Sequence, residues 1–115
     1  KEAEATECAG EQGRFWELVD KIFEVTPSNN GLNLADLPKL GQLAGVTNIQ
    51  QFQSCLDSGK YTKHVADDTA DAQVAGLTGT PYSVIVSANG QTFPLEGAQP
   101  YNALKQLVEQ ALKSK

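Results

Sequence analysis

Only one stretch of this chain has the alternation and turn chemistry of a β-sheet, and it is too small to be a sheet by itself. Residues Tyr82 to Ser87 read as one strand and Gln91 to Glu96 as a second, with Asn89-Gly90 between them as the signal for a type I′ hairpin turn. Pro94 falls inside the second strand. A proline has no N–H to give to a ladder, so the second strand is an edge and the first is the inner one. An inner strand needs a neighbour on its other side, and a lone two-stranded hairpin is marginal even with a helix over one face. No other segment reads as a strand. The chain is therefore expected to be an incomplete α/β unit. Its missing neighbour comes from a second copy, by self-association along 82–87, or from sequence upstream of Lys1.

Everything before the hairpin reads as helix, and no repeat or linker marks a domain boundary. A single domain is expected, with a helical region over 1–76 and a loop, hairpin and final helix over 77–115. Residues 2–12 form a first helix with Ala3, Ala5, Cys8 and Ala9 as its small apolar side, weakened at Gly10 and Gly13. Phe15, Leu18, Val19, Ile22 and Phe23 then make one apolar stripe at helical spacing, and Trp16 beside Phe15 reads as core packing. Thr26 to Gly31 is a loop by its breaker content. Leu34, Leu37, Leu40 and Leu43 mark a helix ending near Gly45, with Pro38 confined to its first turn. Thr47 or Asn48 caps a helix with Ile49, Phe52, Cys55 and Leu56 on one face, stopped by Gly59. A fifth helix runs from Lys60 to about Ala75, with Tyr61, Val65, Thr69 and Ala72 inward. After the hairpin, Pro100 suits the first position of a last helix. Tyr101, Leu104, Leu107, Val108, Ala111 and Leu112 are its stripe, and Lys113 and Lys115 stand at the negative end of its dipole.

Composition removes several function classes. Nine basic residues are scattered among fourteen acids, for a net charge of −5, so nucleic acid and anionic membranes are poor partners. The longest apolar run, Val84-Ile85-Val86, cannot span a membrane, so no membrane insertion is expected. The chain has no signal peptide and begins at Lys1, which reads as a processed product or a piece of something longer. Two cysteines and one histidine do not complete a zinc site, and no metal or cofactor is expected. Cys8 and Cys55 are too far apart for a C-x-x-C; they read as two buried thiols or as a structural disulfide.

Four segments together carry a resemblance. Glu11-Gln12-Gly13-Arg14-Phe15-Trp16, Cys55-Leu56-Asp57-Ser58-Gly59-Lys60-Tyr61, Gly76-Leu77-Thr78-Gly79-Thr80-Pro81 and Gly97-Ala98-Gln99-Pro100-Tyr101 stand in this order. They resemble the EQGKFW, CLDSGKY, GVTGTP and GAQPY segments of DsbA-like thiol–disulfide oxidoreductases, and the likeness covers essentially the whole chain. The resemblance implies a thioredoxin-like fold with a helical insertion. It also implies that the chain begins just after the family's second strand, so that the C-x-x-C has no counterpart here and no catalytic residue lies in this chain. Cys8 and Cys55 sit on helices the family places elsewhere, which makes them a structural disulfide rather than a redox pair. The resemblance further implies a cis Thr80–Pro81 bond. The Gly79-Thr80-Pro81 loop then binds substrate, with the Thr80 backbone turned toward an extended peptide. The partners implied are protein or peptide thiols and disulfides, and the compartment is periplasmic or otherwise extracytoplasmic.

Other features carry less. His64 lies on a helix rich in exposed acids and reads as a surface residue. Asp67, Asp68 and Asp71 lack the turn glycine of a calcium loop and read as a solvated face. Gly76-x-x-Gly79 precedes a strand and lacks the Lys of a phosphate loop, and no Gly-x-Ser-x-Gly exists. Two functions remain: part of an extracytoplasmic thiol–disulfide oxidoreductase, or a non-catalytic thioredoxin-like module that binds peptides or dimerises.

Overall fold

The computed structural model describes residues 1–27 and 31–114. Ser28 to Asn30, in the expected Thr26–Gly31 loop, and Lys115, expected at the negative end of the last helix's dipole, lie outside the described residues. Two compact units result, Lys1–Thr69 and Ala70–Lys115.

The first unit is helical: α1 (Glu2–Gly10), α2 (Phe15–Val25), a 3₁₀ turn at Leu34–Asp36, α3 (Leu37–Leu43), α4 (Ile49–Asp57) and the start of α5 (Thr62–Val74). Its core is small. Ala5, Cys8 and Ala9 on α1 let that helix approach Leu18 and Ile22 on α2 and Phe52, Cys55 and Leu56 on α4, with Leu37 and Leu40 of α3 closing the cluster. Phe52 is wholly buried, and its ring lies where a Cβ on Gly41 would be 3.4 Å away. A glycine there gives the ring its seat. Asn48 caps α4 by accepting a hydrogen bond from the Gln51 N–H at 3.0 Å. Gly59, at φ 65°, ends it as expected: the Lys60 N–H returns to the Cys55 carbonyl and the Gly59 N–H to Leu56. That double closure needs a left-handed residue, which glycine adopts at least cost. Between α1 and α2, the Gln12 side chain acts as a piece of backbone. Its amide nitrogen donates to the Asn48 carbonyl and its oxygen accepts from the Asn48 N–H, both at 2.9 Å.

Several expected core positions lie elsewhere. Trp16 and Phe23 are exposed, at 72% and 78%. The contact face of α2 is only wide enough for Leu18 and Ile22, so the Trp16 ring stands edge-on to Phe15 at the surface instead. Leu34 and Leu43 are exposed for the same reason at the two ends of the α3 stripe. On α1, Ala3 is exposed, while Glu4 and Thr6 are buried. The Glu4 carboxylate accepts from Lys1 Nζ and Thr62 Oγ1, and Thr6 Oγ1 donates to the Ala3 carbonyl, which removes the cost of burying them. On α5, Tyr61 just before the helix packs against the core and Val65 is half-buried, but Thr69 is exposed and bonds back to the Val65 carbonyl.

The second unit holds the end of α5, β1 (Tyr82–Val86), β2 (Thr92–Glu96) and α6 (Tyr101–Lys113). The strands pair antiparallel, from Tyr82 opposite Glu96 to Val86 opposite Thr92. Hydrogen bonds from Gly97 N–H to the Pro81 carbonyl (2.8 Å) and from Ser87 N–H to the Gln91 carbonyl (2.9 Å) frame the ladder. Alternation then places Ile85 opposite Phe93 in a bonded pair and Val84 opposite Pro94 in a non-bonded pair. The missing N–H of Pro94 therefore falls on the outer edge of β2, where it blunts further pairing. The main-chain groups of Tyr82, Val84 and Val86 point from β1 to its other edge, where the described residues supply no third strand.

The turn is not type I′. The Gly90 N–H donates to the Ser87 carbonyl, so Ala88 and Asn89 are the central residues and Gly90, at φ 84°, follows them. This is the three-residue loop with a left-handed glycine at its end. Asn89 Oδ1 accepts from Gln91 N–H and Ser87 Oγ, which holds Asn89 in the turn rather than at a left-handed position. On the sheet, Phe93 is buried and Ile85 half-buried under α6, while the Tyr82, Val84 and Val86 face is the open one. Helix α6 packs through Ala103, Leu107 and Ala111, and Pro100 is its N-cap rather than its first residue. Tyr101, Leu104, Val108 and Leu112, expected inward, are exposed.

Candidate functional site

The segment entering β1 is built by two constraints. At its start, Gly76 adopts φ 95° and closes α5: its N–H donates to the Gln73 carbonyl and the Leu77 N–H to Ala72. The Tyr82 hydroxyl then ties the strand back by donating to the Ala75 carbonyl at 3.1 Å. Between these anchors Gly79, Thr80 and Pro81 are all exposed, and the Thr80–Pro81 peptide bond is cis. The Gly97 N–H takes the Pro81 carbonyl into the ladder, so regular pairing stops at Pro81 and Thr80 lies just beyond it. Residues 97–99 form the turn behind this contact. Gly97 is at φ 75°, and Gln99 Nε2 donates to the Glu96 carbonyl at 2.8 Å. The bracing role of Gly97 and Gln99 is new from the structure, although both lie in the Gly97–Tyr101 segment already noted in the sequence.

The two cysteines are elsewhere, in the helical unit. Cys8 on α1 and Cys55 on α4 are joined as a disulfide, with Cα atoms 5.9 Å apart and both residues buried. A bond so enclosed offers no sulfur to an incoming thiolate, which argues for a structural role. Near it, Glu11 gathers a polar clasp over the α1, α4 and α5 ends. It accepts from Lys60 Nζ and from the Tyr61 hydroxyl at 3.0 Å, and these bonds hold its carboxyl below the ordinary value. The same carboxylate raises Lys60 and Tyr61 above theirs. His64 is exposed, 3.6 Å from both Glu7 and Asp68, in keeping with a surface residue. Among the described residues, no group of three or more His, Cys, Asp and Glu side chains is arranged to hold a metal ion.

A helical unit in the chain followed by a two-stranded antiparallel sheet and a C-terminal helix is consistent with an incomplete α/β thioredoxin-like fold. The chain belongs to the DSBA-like thioredoxin domain family, whose model matches residues 3–109. The family is one of thiol–disulfide oxidoreductases. Among curated proteins, the chain is similar to the Na(+)/H(+) antiporter NhaA 1 of Mycolicibacterium gilvum, with 31% identity over 105 residues. It is also similar to the NhaA 1 of Mycolicibacterium vanbaalenii, with 30% identity over 105 residues. Each alignment covers 90% of this chain but 16% of the antiporter, so the chain spans about a sixth of those relatives' length. No solved structure matches significantly.

Proposed function

We propose that these residues supply the substrate-holding part of an extracytoplasmic thiol–disulfide oxidoreductase that acts on protein or peptide thiols and disulfides. The observation that carries this reading is the Gly79-Thr80-Pro81 loop. Its exposed backbone continues the line of β1 just past the point where ladder pairing ends at Pro81. An extended peptide laid along Thr80 gains strand-like main-chain hydrogen bonds without demanding a particular side chain, which suits an enzyme with many substrates. The redox dithiol belongs, in this reading, to a part of the parent protein outside these 115 residues. Its thiolate attacks one sulfur of the substrate disulfide and forms a mixed disulfide, while the other sulfur leaves as a thiolate. The second thiol of the pair then displaces the reduced substrate. The antiporter name of the relatives is not carried over: the aligned part is 16% of them, and no described helix is long and apolar enough to cross a membrane.

An insulin-reduction and dithiol-oxidation assay on the 115-residue protein tests the assignment of the cysteines. Background rates are expected. Turnover abolished by Cys8→Ser or Cys55→Ser would move the redox centre into the buried disulfide and end this reading. A second reading, a non-catalytic peptide-binding or dimerisation module, is favoured by the open edge of β1, whose Tyr82, Val84 and Val86 main-chain groups can pair with an added strand.

A further inference from the structure

The loop from Leu77 to Pro81 is fixed at its two ends and not along its length. None of the hydrogen bonds among the described residues runs between two of its own members, so it contains no turn that sets its course. At one end the Leu77 N–H closes α5 onto the Ala72 carbonyl at 3.0 Å, and at the other the Pro81 carbonyl accepts from the Gly97 N–H at 2.8 Å. A single bond joins these ends. The Tyr82 hydroxyl, on the first residue of β1, donates at 3.1 Å to the Ala75 carbonyl, just past α5. It is the one hydrogen bond among the described residues between that helix end and the hairpin. Ala75 can accept it because the last carbonyls of a helix have no partner within the helix. Gly76 leaves the room, since a Cβ there would lie 3.2 Å from the Tyr82 hydroxyl oxygen.

We infer that Tyr82 is a positioning residue for the peptide-receiving loop: its hydroxyl fixes the span between the loop's ends before a substrate arrives. This role rests on the proposed reading in which Thr80 pairs with an extended peptide. Such a peptide gains main-chain bonds only when the loop's own N–H and C=O groups stand in a strand-like line. A loop free to wander is ordered at the moment of binding, and the ordering is subtracted from affinity. Apparent affinity then falls in proportion to the fraction of time the loop spends in the competent arrangement. With no bonds inside the loop, the bond between its ends governs that fraction. One neutral hydrogen bond shifts such an equilibrium by about two- to tenfold. Tyr82 thus acts through the backbone of Thr78 to Thr80 and has no need to touch the peptide.

Tyr82→Phe in the intact 115-residue protein keeps the ring and removes only the donor. In the free protein, ¹⁵N relaxation shows the Thr78 to Thr80 amides ordered in wild type and mobile on the nanosecond timescale in the variant. The ladder amides of Val84 and Phe93 stay ordered in both. Titrated with an unstructured, cysteine-containing peptide, the variant binds about two- to tenfold more weakly. At saturation its Thr78 to Thr80 amide shifts coincide with those of wild type, because the bound loop is the same and only the ordering before it differs. A site damaged by a merely structural loss would keep different shifts at saturation, and that result overturns the inference. So does a variant that binds as tightly as wild type, or one whose free loop is as ordered as wild type; each leaves the peptide-binding reading intact. A wild type that binds no peptide removes that reading, and the role of Tyr82 with it.

Discussion

Removing the Cys8–Cys55 bond tests how the helical unit is held together. The bond closes a loop with a sequence separation of 47 residues. In the chain-entropy model, such a cross-link removes about 14 cal/mol/K from the unfolded chain, or about 4 kcal/mol at 25 °C. The folded side has little to spare. Among the described residues, the unit's core includes three large apolar side chains that are fully buried, Phe52, Leu18 and Leu37, and α1 contributes mainly Ala5, Ala9 and Cys8. A unit of this size is ordinarily stable by roughly 3–10 kcal/mol, so a loss of about 4 consumes much or all of it. Cys8→Ala/Cys55→Ala should therefore lower the urea midpoint by about 2–4 M, or leave the unit unfolded without denaturant, with ellipticity at 222 nm as the readout. Reduced wild type should behave like the double variant. A midpoint shift below about 0.5 M, or two alkylatable thiols in the non-reduced protein, would refute the reasoning.

The Glu11 clasp gives stability a pH dependence with limbs at both ends. Glu11 is lowered in the folded state by the Lys60 and Tyr61 bonds, so its contribution is present above its unfolded value near 4.5 and is lost as pH falls through the lowered one. Lys60 and Tyr61 are raised, so their share is complete below about pH 10 and lost as pH climbs through the raised values. Urea midpoints across pH 3 to 11 should show these limbs, and Glu11→Gln should reduce both; an unaltered profile would contradict the assignment. Gln12→Ala leaves the Asn48 N–H without its partner and removes one of the two bonds to the Asn48 carbonyl, which keeps the Phe52 N–H, and should cost about 1 kcal/mol in the same assay, with α-helix content preserved. A cost near zero would mean that water replaces the side chain freely.

Local signals in the chain are faithful where a backbone rule acts alone. Gly45, Gly59 and Gly76 all take positive φ at helix ends, Asn48 caps α4, and Pro94 lies on the outer edge of the hairpin. Apolar periodicity is a weaker guide here, because it reports that a face is greasy and not that anything covers it. Trp16, Phe23, Tyr101, Leu104, Val108 and Leu112 fit their stripes and are nonetheless exposed, since the described neighbours of α2 and α6 cover less than the whole stripe. Asn89-Gly90 misleads for a local reason: the Asn89 side chain bonds to Gln91 N–H and Ser87 Oγ, which shifts the turn back by one residue. Burial of Glu4 was hidden because its partners, Lys1 and Thr62, are remote in sequence or ordinary in type. The Gly79-Thr80-Pro81 loop was legible only through resemblance. Nothing in its composition distinguishes it from any Gly-Thr-Pro turn.

In the proposed function the Thr80–Pro81 loop receives an extended peptide. A ¹⁵N-correlated NMR titration with an unstructured, cysteine-containing peptide measures it residue by residue. The amides of Thr78 to Thr80, Tyr82 and Gly97 should shift together and saturate with one affinity, while those of α1 to α4 stay in place. Shifts confined to the helical unit, or none at these amides up to several millimolar peptide, would contradict it.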